Sequence, residues 1–275
     1  MEIPEPDLIV HAWYPRGVKS TIASGSNSFI GLVDENTVLK YPQLPSETPP
    51  GLDFKREKIY RILRQGQLTG LEVEEQILGV LGQHRRIIGF KGKHEEGLLL
   101  DRMPNGSVAD YLHITDPQPQ AQERLKWALQ AAEAVAYIHT RRVIHCDISV
   151  GNLLLDKDLN IRLCDFQGRL LHPDGTIHLN GDSAEGVKSS MPRSDPNDAN
   201  WKTDIFALGS AIYFIMKGHP PFPELDSWKD ELEIVSRFRN RQFPPLDEVP
   251  GGDVVKKCWT GEYESADKVV HDLRK

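Results

Sequence analysis

Val143-Ile-His-Cys-Asp-Ile-Ser-Val-Gly-Asn-Leu-Leu-Leu-Asp-Lys-Asp-Leu-Asn-Ile-Arg-Leu-Cys-Asp-Phe-Gln-Gly168 is the stretch from which the rest of this chain is read. Its spacing predicts two short apolar strands, Leu153–Leu155 and Ile161–Leu163, joined by an Asp-Lys-Asp-Leu-Asn turn, with a polar loop before them and Asp165 directly after. Asp147 and Asn152 share that loop, and the hairpin returns Asp165 to their side. Three oxygen-bearing side chains can therefore converge without a Cys or His ligand set. Hard oxygens of this kind suit Mg²⁺, which shares its coordination shell with substrate phosphates.

The same residues resemble two motifs of the eukaryotic protein kinase family. His145-Cys146-Asp147, with Asn152 five residues on, stands where that family has H-R-D-x-x-x-x-N, and Asp165-Phe166-Gln167 stands where it has D-F-G. The resemblance implies an α+β, bilobal protein kinase fold: a small, mainly antiparallel β N-lobe with helix C, and a larger, mainly α-helical C-lobe. It implies ATP and Mg²⁺ as cofactors and a protein substrate whose identity is unknown. It assigns Asp147 to orienting the attacking hydroxyl and taking its proton, and Asn152 and Asp165 to the metal. The departures from the family pattern look similar to those of a divergent, expanded group of fungal protein-kinase-like proteins.

Composition agrees with a soluble globular protein. The 275 residues are 39% apolar and 27% charged, enough for a sizeable core. No apolar run approaches the ~18 residues of a membrane span, and Met-Glu-Ile-Pro-Glu-Pro is not a signal peptide. The expectation is an intracellular protein, cytoplasmic or nuclear, without a membrane partner. Three cysteines without metal-type spacing argue against a disulfide framework, and Cys146 and Cys164 read as packing thiols. A net charge of −7 gives no footprint for nucleic acid.

Outward toward the N-terminus, residues 1–20 read as a loosely attached lead-in, and 21–103 as the N-lobe and hinge. Thr21–Tyr41 patterns as strand, small-residue loop, strand, turn and strand. Gly25 takes the first glycine position of a phosphate-covering loop, with Phe29 at its tip; Asn27 and Ile30 replace the other glycines. Lys40 stands where the resemblance puts the lysine that holds the α- and β-phosphates. Its acidic partner should come from a helix, and two stretches compete, Phe54–Leu63 and Leu71–Leu81. Glu74 is followed by Ile77, Leu78 and Leu81 at core-facing helical spacing, so Glu74 is chosen over Glu57. About 46–70 then reads as an insertion before helix C, rich in Lys and Arg. Arg86–Phe90 and Gly97–Leu100 pattern as paired strands. By the resemblance Leu100 backs the adenine pocket, the backbone of Asp101 and Met103 bonds the base, and Val38 and Leu154 sandwich it.

Toward the C-terminus, 104–275 read as the C-lobe. Ser107–Leu112 opens a helix and Ala121–Thr140 forms a longer one with a broad apolar stripe. His145 lacks a second, suitably spaced His and is expected to pack. Arg169–Pro192 turns polar and Gly-rich, as a substrate-docking segment would. Asp204 resembles the acid that braces the catalytic loop, and Gly218–Glu224 and Lys257-Cys258-Trp259 match C-lobe landmarks.

Several departures bear on activity. Ser149 and Gly151 leave out the cation that the resemblance puts near the γ-phosphate, and Arg169 is the candidate to substitute for it. Cys146 replaces an arginine that would read activation-segment phosphorylation, so activity is expected not to depend on it. Gln167 replaces a flexible glycine, and Met191-Pro192-Arg193 lacks the usual latch acid. An active kinase favouring Ser/Thr, a pseudokinase that binds nucleotide or a partner, a small-molecule phosphotransferase and a non-catalytic domain all remain open.

Overall fold

The computed structural model describes residues 13–181 and 183–275; the first twelve residues of the expected lead-in lie outside the described residues. The N-terminal sheet is built around β3, which is buried on both faces. Strands β1 (Ser20–Ser24), β2 (Ser28–Asp34) and β3 (Thr37–Pro42) form an antiparallel meander. On β3, Leu39 and Tyr41 point to one face, where they meet Phe29 and Trp13, while Val38 and Lys40 point to the other. From Trp13 on, the lead-in is docked, not loose: the Trp13 indole donates to the Pro42 and Gln43 carbonyls at 3.0 and 3.1 Å and stands edge-on to the Tyr41 ring. Phe29, expected at a loop tip, lies inside β2 and is buried, because its aromatic side chain completes the Leu39–Tyr41 cluster.

Helix α1 (Phe54–Leu81) is one uninterrupted helix of 28 residues, so the two competing helical stretches are one element and the expected insertion is its N-terminal extension preceded by a loop. The Asp53 carboxylate caps it by accepting from the Arg56 amide at 2.8 Å, and nothing between Gln65 and Gly70 is a proline. Two mid-helix glycines cost only about 1 kcal/mol each relative to alanine. Strand β4 (Phe90–His94) and β5 (Gly97–Asp101) complete a sheet of order β1-β2-β3-β5-β4. The expected strand at Arg86–Phe90 is therefore displaced. Arg86–Ile88 instead run beside the catalytic hairpin, Ile87 bridging to Leu163 and the Ile88 amide donating to the Leu163 carbonyl at 2.9 Å, because Ile87 and Ile88 belong to the core between the lobes.

In the C-lobe, α2 (Val108–Ile114) is capped by Ser107, and α3 (Ala121–Thr140) buries Trp127, Ala131, Val135 and Ile138. Strand β6 (Val143–Ile144) leads into the catalytic loop, followed by the hairpin β7 (Leu153–Leu155) and β8 (Ile161–Leu163) as read from the sequence. Strand β9 (Arg169–Leu171) pairs with β6 and with β10 (Ile177–Asn180). Helices α4 (Trp201–Lys217), α5 (Glu231–Arg239), α6 (Gly252–Thr260) and α7 (Ala266–Leu273) complete the lobe. One apolar core runs from Val38 and Leu100 through α1 and the hairpin into α3 and α4.

Candidate active site

Lys40 sits on the inner face of β3, buried, where strand alternation aims it at α1. Its ammonium donates to Glu74 Oε2 at 2.5 Å and to Asp165 Oδ1 at 2.7 Å. Glu74, wholly buried, uses its other oxygen to accept the Phe166 amide at 3.2 Å. Burial works against the charge of Lys40, but the two carboxylates outweigh it and hold the ammonium's pKa above its ordinary value. Burial likewise opposes ionisation of Asp165, and Lys40 more than offsets it, so the Asp165 pKa is lowered.

The opposite wall is the loop between β6 and β7. The Asn152 amide donates to the Asp147 carbonyl at 2.9 Å and to Asp147 Oδ2 at 2.8 Å, tying the two residues together. Burial pushes the Asp147 carboxyl above its ordinary value; the carboxylates of Asp165 and Glu185 push the same way, against the Asn152 hydrogen bond and the His145 ring. The loop itself is held from beneath. Asp204, buried near the start of α4, accepts the His145 and Cys146 amides at 2.8 and 3.0 Å and contacts His139 Nε2 at 2.9 Å. This bracing stabilises Cys146 at a φ of 64°, in the left-handed region where a non-glycine residue is strained. The expected bracing role of Asp204 is thus met in geometry.

His145 packs, as expected. Its Nδ1 accepts the Asp147 amide at 3.3 Å and its Nε2 lies 2.9 Å from the Cys164 carbonyl. Cys146 and Cys164 are thiols with pKa values raised by burial, consistent with packing roles.

The residues expected around adenine are brought together in part by strand register. Val38 lies directly opposite Leu100, and Leu154 bridges to Ser107 just beyond the hinge. The Asp101 amide is committed to the Gly89 carbonyl at 2.8 Å, leaving only its carbonyl for a base. The Met103 amide donates to no described residue, while its carbonyl accepts from Gly106 at 3.2 Å.

Gly25 is the expected site residue that the structure ties up otherwise. It begins the three-residue turn between β1 and β2, its amide donates to the Ser28 carbonyl at 2.8 Å, and its carbonyl accepts from Gln43 at 2.7 Å. The turn closes on itself because the missing second and third glycines leave no open backbone curve. Arg169 does not replace the missing cation: its guanidinium donates to the Asn197 and Ala199 carbonyls at 2.6 and 3.1 Å, fastening the segment before α4.

Two functional contacts escaped the sequence reading. The Gln167 carboxamide lies against Gly70 of α1, where a Cβ would stand 2.7 Å from its Oε1, and its amide reaches Glu74 at 3.4 Å. A buried glycine near the middle of the helix was the only signal. Arg193 pairs with Glu185 at 2.8 Å, both largely buried, which supplies a latch from within the activation segment in place of the missing acid at position 193. Beside Ser149 a groove of about 500 Å³ opens between that segment and the loop before α5, lined by Val150, Glu185, Val187, Phe214, Pro221 and Trp228.

A family model described as protein tyrosine and serine/threonine kinase matches residues 62–269, from the middle of α1 to α7, leaving Gly25, Val38 and Lys40 outside the match. The chain is 34% identical over 160 residues to the L-type lectin-domain containing receptor kinase I.3 of Arabidopsis thaliana, covering 54% of this chain and 24% of that protein. It is 29% identical over 235 residues to the salt tolerance receptor-like cytoplasmic kinase 1 of Oryza sativa subsp. japonica, covering 78% and 59%. Over 205 residues it is 27% identical to human mitogen-activated protein kinase kinase kinase 3, covering 70% and 32%. The chain thus spans less than two thirds of the length of these relatives. With the catalytic-loop and D-F-G-like residues arranged as above and a family model matched over more than half its length, the chain belongs to the protein tyrosine and serine/threonine kinase family.

Proposed function

We propose that this chain is an active protein kinase domain that transfers the γ-phosphate of ATP, bound with Mg²⁺, to a serine or threonine hydroxyl of a protein. The observation that carries this reading is the Glu74–Lys40–Asp165 chain of charge-assisted hydrogen bonds, with Asp147 and Asn152 across from it.

The residues fit MgATP by their free donors. Asn152 commits its amide nitrogen to Asp147, leaving Oδ1, and Asp165 commits Oδ1 to Lys40, leaving Oδ2. Those two hard oxygens suit Mg²⁺. When bound, the metal neutralises charge on the phosphates. Lys40, kept protonated, holds the α- and β-phosphates, and Glu74 fixes its position. Val38, Leu100 and Leu154 enclose the adenine, and the Met103 amide and Asp101 carbonyl are free to bond its edge. Asp147 receives the acceptor hydroxyl's proton; its raised pKa makes it a better base than an exposed carboxylate. The groove beside Ser149 lies between the catalytic loop and the activation segment, where a protein acceptor would dock.

The test is transfer of labelled γ-phosphate from MgATP to the chain itself and to a mixed protein substrate, comparing wild type with Asp147→Asn. Transfer lost in the variant supports the assignment; transfer by neither, or equally by both, overturns it. The committed backbone of Gly25 favours a second reading, a kinase-like domain that binds nucleotide without turnover. An ATP-dependent rise in Tm without transfer would establish it.

A further inference from the structure

The N-terminal half of α1 is held on one side and bare along an adjoining flank. On the held side Tyr60 is buried with its hydroxyl on the Pro45 carbonyl at 2.7 Å, Arg64 donates to the same carbonyl and pairs with Glu96, and Gln67 accepts the Leu44 amide. The adjoining flank carries Ile59, Ile62 and Leu63, exposed by 46, 61 and 47%, and the open position Gly66, where a Cβ would touch nothing. These residues follow the i, i+3, i+4, i+7 spacing of one helix face. Phe54, 84% exposed, stands at the helix start.

That apolar stripe is edged by unneutralised positive charge. Lys55 and Lys58 make no hydrogen bond or ion pair with any described residue, and Arg56 has only a 3.8 Å contact with its exposed capping acid Asp53. Of the five basic residues of this stretch, Arg61 pairs with Glu57 and Arg64 with Glu96, which leaves Lys55 and Lys58 without a partner among the described residues and Arg56 weakly paired, within a chain whose net charge is −7. Four large apolar side chains exposed in so short a stretch favour burial by a partner.

We propose that this face is a docking surface for an acidic, amphipathic segment of a partner protein, whose apolar side chains seat on Ile59, Ile62 and Leu63 and whose carboxylates meet Lys55 and Lys58. Charge selects this occupant. A short acidic segment feels the local basic edge within a Debye length of about 8–10 Å. An anionic membrane would face the whole acidic molecule, and a second copy would set one basic edge against another. The surface lies on the same rigid helix as Glu74, about 18 Å from Ile62 along the axis, so a bound segment grips the element that holds the Lys40 ion pair.

The probe is a fluorescein-labelled 18-residue peptide of Glu and Leu, with the leucines at helical spacing, titrated by anisotropy against the full chain. A scrambled peptide of the same composition is the control. The docking surface requires at least tenfold weaker binding in Lys55→Glu/Lys58→Glu and in Ile62→Glu, with Ile62→Ser as an uncharged second variant. It also requires tenfold weaker binding of the scrambled peptide and slowed amide exchange confined to residues 54–66. These exposed substitutions should leave Tm unchanged, and Asp147→Asn should bind like wild type, which separates this surface from the catalytic reading. Equal affinity for the scrambled peptide, indifference to all three variants or protection elsewhere would overturn the proposal. So would tighter binding to phosphatidylserine vesicles than to the peptide, or self-association abolished by Ile62→Glu.

Discussion

The floor and the roof of the site are built on different principles. On the floor, the residues proposed for chemistry are each held by a second group: Asp204 accepts the amides of His145 and Cys146, Asn152 is bonded to Asp147, and Glu74 reaches both Lys40 and Phe166. On the roof, the Gly25–Asn27 turn is solvent-exposed and bonded mostly to itself and to Gln43. Preorganised charge in a low-dielectric setting is what lowers a phosphoryl-transfer barrier, so the floor should tolerate almost no change and the roof a good deal.

The contrast is broken most directly at Asp147. Replacing it with Asn removes the proposed base while keeping the size, and kcat should fall by about 10²–10⁴-fold with little change in Tm, measured by γ-phosphate transfer and thermal melting. Beneath it, Asp204→Ala leaves two buried backbone amides without an acceptor around a strained Cys146. Denaturant unfolding should register a loss of about 2–4 kcal/mol, since each unsatisfied donor costs about 1–3.

The contrast is sharpened at Ser149, where the floor is missing a cation and Arg169 is engaged elsewhere. Ser149→Lys should raise kcat by about tenfold through a new transition-state contact, and no gain would mean that the developing charge is already met. The pH profile tests the environment of Asp147 itself. Its carboxylate must be ionised to accept a proton, and its pKa is raised, so kcat/KM should drop with falling pH at a point above the 3.8 of a free aspartate. An acid limb at or below that value would detach the base from Asp147. The smallest effect belongs to the roof. At Gly25, whose Cβ would find only the Ser28 carbonyl at 3.7 Å, Gly25→Ala should shift stability by less than about 0.5 kcal/mol and activity by less than about twofold.

The α1 helix shows how local and tertiary information divide. Its apolar spacing from Glu74 to Leu81 was enough to choose Glu74 over Glu57, and the structure has Lys40 Nζ 2.5 Å from Glu74 Oε2. Its length was not legible, because Gly66 and Gly70 read locally as breaks, whereas Gly70 is where the Gln167 side chain packs. The displaced strand at Arg86–Phe90 failed for a related reason. Ile87 and Ile88 have strand-like patterning, but the partner that uses it is β8 in the other lobe. The Arg193–Glu185 pair joins residues of no recognisable motif, and the Phe29 side chain is placed by a cluster that includes Trp13.

The sequence by itself determined the catalytic hairpin, its three oxygen-bearing side chains and the long apolar helix before them, because strand alternation, helical spacing and turn chemistry are local and repeat over a few residues. Only the tertiary structure decided which of those groups meet. Lys40 and Asp165 are 125 residues apart in the chain and 2.7 Å apart in space. The bare basic face of α1 is likewise a tertiary fact, since burial depends on where the rest of the chain packs, and the 42–47 loop covers one side of the helix and leaves the adjoining flank open.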